Sequence, residues 1–150
     1  MLVAMLGGFG LRRVQRSRYP SQIPLWTEQG FDLIFVGVTA INLHELDSIS
    51  ALRRSVDHPS RTAPVVVMSS YTPRSLIERA REAGATFVLS KPLQARTVFD
   101  RILWLAKTPR EFVDMDAYFG PDRRMRDDGP PLGEADRRAG DPLDHAAAIR

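Results

Sequence analysis

Apolar residues follow two alternating patterns along the chain, continuous runs and helical stripes. The runs at 31–38 (FDLIFVGV) and 64–69 (PVVVMS) have the length and β-branched composition of strands buried on both faces. Between them, leucine, isoleucine and valine recur every three or four residues over 42–56, which predicts an amphipathic helix. The order strand, helix, strand is typical of a parallel sheet covered by helices.

The pattern continues in the same order further along the chain. Thr72 and Pro73 predict the start of a helix, because a hydroxyl can cap it and proline fits its first position. Gly84 is placed to end that helix in the left-handed conformation. A short strand is predicted at 86–89 and a last helix at 95–106. Repeated strand–helix units form right-handed crossovers, so we predict a three-layer α/β sandwich.

The N-terminal region gives a weaker pattern. Residues 1–9 predict a short helix, with a strand as the alternative, and residues 11–15 predict a strand. Leu25 and Trp26 predict a short helix that ends at Gly30. Pro20 and Pro24 limit that helix to about two turns.

The composition changes after residue 106. Residues 107–150 are rich in charge and proline, and apolar residues become sparse beyond Phe119. Such a segment buries too little apolar surface to offset the entropy of the chain. We therefore predict a domain at 1–106, an extension at 107–119 and a disordered tail at 120–150.

The composition also excludes several classes of protein. The absence of cysteine excludes disulfides, thiolate nucleophiles and zinc–thiolate sites. No apolar run reaches the ~18–20 residues of a membrane span, and the N-terminus lacks the features of a signal peptide, so we expect a cytoplasmic protein without a membrane partner. The histidines have no metal-ligand spacing and are expected on the surface: His44, His58 and His145.

Charge gives no support for nucleic-acid binding. The formal net charge is +3, and one weak basic cluster occurs near the N-terminus, formed by Arg12, Arg13, Arg16 and Arg18. Binding to phosphates usually needs a broader basic face, so a nucleic-acid partner is not expected.

Several segments resemble the receiver domain of bacterial response regulators. The matching segments are FDLIFVGV (31–38), PVVVMSS (64–70), REAGA (81–85) and FVLSKPL (87–93). The resemblance covers about 1–106, and the extension at 112–127 resembles the sequence that follows single-domain receivers of alphaproteobacteria. It implies a flavodoxin-like (CheY-like) parallel sheet and a role in two-component, or phosphorelay, signal transduction.

The family's phosphorylation pocket is only partly matched. A receiver accepts phosphate on a carboxylate after its third strand, while a hydroxyl, a lysine and Mg²⁺ neutralise the developing charge. The resemblance places the hydroxyl at Ser69 and the lysine at Lys91, but the phosphoacceptor position holds Gly37. Asp32 lies at the opposite end of that strand and Asp47 on the following helix, so neither can substitute. We expect no catalytic residue, no cofactor and no Mg²⁺ site.

The family's first strand is also unaccounted for. The spacing places Met1 inside the first helix of a receiver, so that strand and its acidic pair would precede the chain. Because this strand is central in the fold, its loss exposes hydrogen-bonding edges. We predict a sheet whose first strand is missing or replaced. The chain is natively longer, or it is a decayed fragment, or residues 2–6 replace the strand.

The resemblance also indicates a surface for partners. The aromatic residue that reports phosphorylation, three positions before the lysine, is replaced by Val88, and Phe87 points to the other face. Receivers bind partners through the fourth helix, fifth strand and last helix, and the corresponding residues here are Arg74, Arg81, Val88, Arg96 and Trp104.

These observations favour a non-enzymatic function. The prediction is a phosphorylation-incompetent, receiver-like domain, a pseudo-receiver, that serves as a protein–protein interaction module. The expected partner is a signalling protein such as a histidine kinase, another receiver or an effector, and a homodimer is left open. The alternatives are a phosphoaccepting response regulator whose gene model lacks the N-terminal strand, and a non-functional remnant.

Overall fold

A computed structural model describes residues 1–18, 30–39, 43–108, 111–115 and 118–122. In chain order the elements of these ranges are α1 (Leu2–Gly8), β1 (Ile34–Gly37), α2 (His44–Arg54), β2 (Val65–Ser69), α3 (Arg74–Glu82), β3 (Phe87–Ser90), α4 (Ala95–Lys107), β4 (Phe112–Met115) and β5 (Tyr118–Pro121). The predicted strands and helices from β1 to α4 are confirmed, with small shifts at their ends.

The three strands β1, β2 and β3 form a parallel sheet in that order. Every residue of the central strand β2 is buried, which explains why its sequence is a continuous apolar run rather than an alternation. Within the described ranges β1 pairs on one side only, with β2. Its other edge corresponds to the place of the first strand in the resembled family.

Helices cover both faces of this sheet, as predicted. Val65 and Val67 of β2 pack with α2 and α3, in a core cluster that includes Leu46, Ile49, Leu52, Leu76 and Ala80. Val66 points to the other face and packs with Leu89 of β3 and Leu105 of α4. The alternation of β2 side chains therefore divides the core into two layers, one on each side of the sheet.

The start of α3 differs from the prediction. Pro73 occupies the N-cap position with φ −66° and ψ 159°, and the first helical residue is Arg74. The prediction that Thr72 caps the helix is wrong, because the chain turns into the helix one residue later. The end of α3 is as predicted, since Gly84 adopts φ +94° just after the last turn.

The N-terminal residues form a helix. Met5 N donates to Met1 O at 3.1 Å and Phe9 N donates to Met5 O at 3.0 Å, which is the α-helical pattern of α1. The alternative in which residues 2–6 replace the missing strand is therefore wrong, and residues 11–15 form no strand either. The Phe9 and Phe99 rings meet edge to face at 5.2 Å, so α1 lies against α4. The helix predicted at Leu25 and Trp26 lies outside the described residues.

The C-terminal extension contains an antiparallel hairpin of β4 and β5. Gly120 and Pro121 of β5 are buried, so the boundary predicted after residue 119 falls inside an ordered element. The prediction missed the hairpin because it weighed the low apolar content, whereas the Phe112 and Phe119 rings lie together at 5.5 Å. The remainder of the predicted tail, 123–150, lies outside the described residues.

His58 is the one described histidine that departs from its predicted surface position. It is buried in the turn between α2 and β2, where its Nδ1 accepts a hydrogen bond from Ser60 N at 3.0 Å. Ser60 Oγ in turn accepts a hydrogen bond from Phe31 N at 2.8 Å. These bonds fasten the α2–β2 turn to the residues that lead into β1. His44 is exposed beside Asp47, and His145 lies outside the described residues.

Arg53, at the end of α2, is a buried charged residue at 2% exposure. Its guanidinium donates to Arg61 O, to Ala63 O at 2.8 Å and to Gly84 O at 3.0 Å. Burial lowers the pKa of Arg53 to about 10, which leaves the side chain protonated at neutral pH. This arginine therefore joins α2 to the loops that precede β2 and β3.

Replacing Gly84 by alanine is expected to lower the free energy of unfolding by about 2 kcal/mol. The position has φ +94°, and an added Cβ would lie 2.9 Å from Arg53 Cγ. Urea unfolding measures the loss, with Gly7→Ala as the control, because a Cβ at Gly7 has nothing within 4 Å. Equal midpoints for the two variants would contradict the strain at Gly84.

Candidate functional site

The predicted pocket residues lie together at the carboxyl ends of the three parallel strands. Gly37 ends β1 and Ser69 ends β2, while Lys91 follows β3. Lys91 N donates to Ser69 O at 2.7 Å, which holds the ends of β2 and β3 side by side. A Cβ at Gly37 would lie 3.9 Å from Lys91 Nζ. The structure thus places the lysine beside Gly37, the residue that the resemblance to receivers predicts at the phosphoacceptor position.

The Ser69 hydroxyl is engaged in a local turn. It is fully buried, donates to Tyr71 O at 2.8 Å and accepts from Tyr71 N at 3.3 Å. Lys91, by contrast, is exposed, and its peptide bond to Pro92 is cis. The pocket therefore presents one exposed cation, Lys91, and a hydroxyl whose hydrogen bonds are directed to the backbone.

The carboxylates near this pocket do not fill the acceptor position. Asp32 is exposed and lies five residues before Gly37, which is about 17 Å along an extended strand. Asp47 lies in α2 with its carboxylate 3.4 Å from His44 Nδ1. Within the described ranges no three His, Asp or Glu side chains are grouped so that they could hold a metal ion.

Glu45 is an acidic residue that the sequence reasoning did not select. It lies in the first turn of α2, directly after the β1 end of the sheet, and its side chain is half-buried. Its Oε2 atom is buried and has no hydrogen-bond partner among the residues that the structure describes. No spacing signal in the sequence distinguishes this glutamate from an ordinary residue of a helix first turn, where acidic side chains are common.

The arginines of the predicted partner surface are exposed. The hydrogen bond to Glu78, at 2.7 Å, and the charge of that carboxylate raise the pKa of Arg74. Arg96 lies 3.1 Å from Asp100, one turn along α4. Arg81 is exposed on the same helix as Arg74. Exposed ion pairs such as those of Arg74 and Arg96 contribute little to stability.

The two apolar residues of that predicted surface are packed instead. Val88 lies against the core cluster between the sheet and helices α2 and α3. Trp104 meets Phe87 edge to face at 5.1 Å on the other side of the sheet. The guanidinium of Arg101 covers Phe87 at 5.2 Å from the ring centroid. Val88 and Trp104 therefore pack within the domain, and the exposed part of the predicted partner surface consists of its arginines.

The fold has clear counterparts among solved structures. A response regulator from Thermotoga maritima is 22% identical in sequence and superposes with a TM-score of 0.58. The alignment covers 70% of this chain and 84% of the Thermotoga chain. A putative pilus assembly-related protein from Burkholderia pseudomallei is 27% identical with a TM-score of 0.60, and the alignment covers 71% of this chain and 78% of the Burkholderia chain. The receiver domain of a sensor histidine kinase from Pseudomonas aeruginosa, with magnesium in its active site cleft, is 23% identical with a TM-score of 0.56, covering 69% and 82%.

Sequence comparison adds no closer relative: no protein-family model and no curated protein matches the chain. No helix within the described residues is long and apolar enough to cross a membrane. The parallel order of β1, β2 and β3 and the helices on both faces are features of the fold that the chain shares with these structures. The chain therefore has a CheY-like, flavodoxin-like α/β fold, similar to that of response regulator receiver domains.

Proposed function

We propose that this protein is a phosphorylation-incompetent receiver-like domain that acts as an interaction module in two-component signalling. The observation that supports this most strongly is the glycine at position 37, beside Lys91. Transfer of a phosphoryl group to a protein requires a placed nucleophile, and glycine supplies none. The proposed function is therefore binding rather than catalysis, in the cytoplasm and without a Mg²⁺ cofactor.

The other groups of the pocket also support phosphorylation incompetence. Ser69 uses its hydroxyl within the turn at Tyr71, so it is not directed at an incoming phosphoryl oxygen. Asp32 and Asp47 are exposed and lie away from the Gly37 position. A cation without a nucleophile or a metal can still attract anions, but it cannot form an acyl phosphate.

The partner surface that we propose is built on α3 and α4. Arg74, Ile77 and Arg81 follow the i, i+3, i+7 spacing of one helix face, and Ile77 is 38% exposed between the two arginines. Arg96 adds a further exposed charge at the start of α4. An apolar side chain within a basic rim fits a signalling protein that presents carboxylates around an apolar contact.

Charge reversal tests this surface. The triple variant Arg74→Glu, Arg81→Glu, Arg96→Glu is expected to bind its signalling partner at least tenfold more weakly, because like charges would then face each other. Pull-downs from the native host, quantified against wild type, measure the enrichment of a histidine kinase, receiver or effector.

Arg54→Glu serves as the matched control, because Arg54 is exposed but lies on α2. It is expected to retain the partner. Failure of wild type to enrich any such protein, or full retention by the triple variant, would contradict the proposal.

A further inference from the structure

The C-terminal hairpin rests on two arginines of the receiver-like domain. We refer to β4 and β5, residues 112–115 and 118–121, as the strap. The Arg61 guanidinium lies 3.5 Å from the centroid of the Phe119 ring, and that of Arg53 lies 5.0 Å from the Phe112 ring. A carboxylate of the strap, Asp114, lies 3.9 Å from Arg61. The strap therefore contacts the domain through aromatic side chains that stack on guanidinium groups.

The strap is separate from the parallel sheet in its backbone hydrogen bonding. Among the residues that the structure describes, β4 and β5 pair only with each other, in a two-stranded sheet. A single two-stranded hairpin is at best marginally stable in water. The strap consequently needs side-chain contacts with the rest of the domain, and those with Arg53 and Arg61 are among them.

The docking site is held in place without the strap. Arg53 donates to the carbonyl oxygens of Arg61, Ala63 and Gly84, and Arg61 Nε donates to Arg53 O at 2.9 Å. All of these groups belong to α2 and to the loops before β2 and β3. No strap atom takes part in any of these hydrogen bonds.

The strap also lies away from the pocket. Ala63 and Gly84 precede their strands, whereas Gly37 and Lys91 stand at the carboxyl ends. Since the strands are parallel, these are opposite ends of the sheet. A change at the strap therefore leaves the Gly37–Lys91 end unaltered.

We propose that the strap opens as a unit from the folded domain and thereby controls access to the guanidinium plane of Arg61. In the closed form the Phe119 ring covers that plane. In the open form the sheet and the Arg53 hydrogen bonds persist, and Arg61 presents a planar cation able to stack on an aromatic ring or pair with a carboxylate. This device is independent of the proposed phosphorylation incompetence.

Hydrogen exchange of the full chain tests the strap. In wild type, the strap amides (112–115 and 118–120) are expected to exchange through an opening that leaves β2 protected. Phe119→Leu removes the ring that covers Arg61 and is expected to speed exchange of the strap amides about tenfold, the size of one lost cation–π contact. The β2 amides should exchange as in wild type.

Met115→Leu is the matched control, because Met115 lies in the same hairpin and is 64% exposed. It should leave both sets of amides unchanged. Arg61→Gln tests the other side of the contact and should speed the strap amides as Phe119→Leu does. Equal protection of strap and β2 in wild type, or equal acceleration of both in Phe119→Leu, would overturn the proposal.

Discussion

Replacing Arg53 by methionine is expected to remove about 3–5 kcal/mol of the free energy of unfolding. Methionine fills much of the same space but donates no hydrogen bond, so the carbonyl oxygens of Arg61, Ala63 and Gly84 would lose the guanidinium that binds them. Each buried carbonyl left without a donor costs about 1–3 kcal/mol. A loss of this size is a large part of the ~5–15 kcal/mol that stabilises a typical domain.

Urea unfolding followed by circular dichroism measures this effect. Arg54→Met is the matched control, since Arg54 is the exposed neighbour of Arg53 and its replacement should change stability by less than about 0.5 kcal/mol. Arg53→Lys should fall between the two, because an ammonium keeps the charge but lacks the planar donor array. If Arg53→Met unfolded at the wild-type midpoint, the structural role of Arg53 would be refuted.

Replacing Trp104 by alanine is expected to cost about 2–3 kcal/mol, somewhat less than a fully buried tryptophan because Trp104 is half-buried. Its ring packs edge to face on Phe87, and both contact the cluster of Val66, Leu89 and Leu105. Truncation would open a gap between α4 and the sheet. This prediction separates a packing role for Trp104 from a role in partner binding.

Two further variants distinguish a packing role of Trp104 from a role in partner binding. Arg81→Ala removes an exposed side chain of the proposed partner surface and should leave the urea midpoint unchanged while weakening partner binding. Leu103→Ala, on the same helix as Trp104 but 40% exposed, should lose less stability than Trp104→Ala. Wild-type stability for Trp104→Ala together with loss of the partner would instead place Trp104 on the binding surface.

The sheet was predictable because its signals are local. Three valines follow one another in β2, and a strand that is buried on both faces requires apolar side chains at successive positions. Gly84 ends α3 as expected because few residues other than glycine tolerate its φ of +94°. The resemblance to receivers implied that Gly37 and Lys91 lie near each other, and a Cβ at Gly37 would lie 3.9 Å from Lys91 Nζ.

The missed features depend on contacts between distant parts of the chain. An arginine is normally exposed, so nothing in the sequence indicates that Arg53 is buried by carbonyl groups and by Phe112. The burial of His58 depends on the residues before β1 folding over its turn. In the hairpin two aromatic rings lie on two arginines, whereas the composition suggested only an extension up to residue 119 and disorder beyond it.

Phosphorylation is the most direct measurement of the central claim. Urea unfolding first checks that the full chain unfolds cooperatively. The chain is then incubated with acetyl phosphate and Mg²⁺, and its intact mass is recorded. A receiver domain with a carboxylate at the acceptor position serves as the positive control. The absence of a nucleophile at Gly37 predicts an unchanged mass. A gain of one phosphoryl group that hydroxylamine removes would show an acyl phosphate on another carboxylate and would contradict the proposed function.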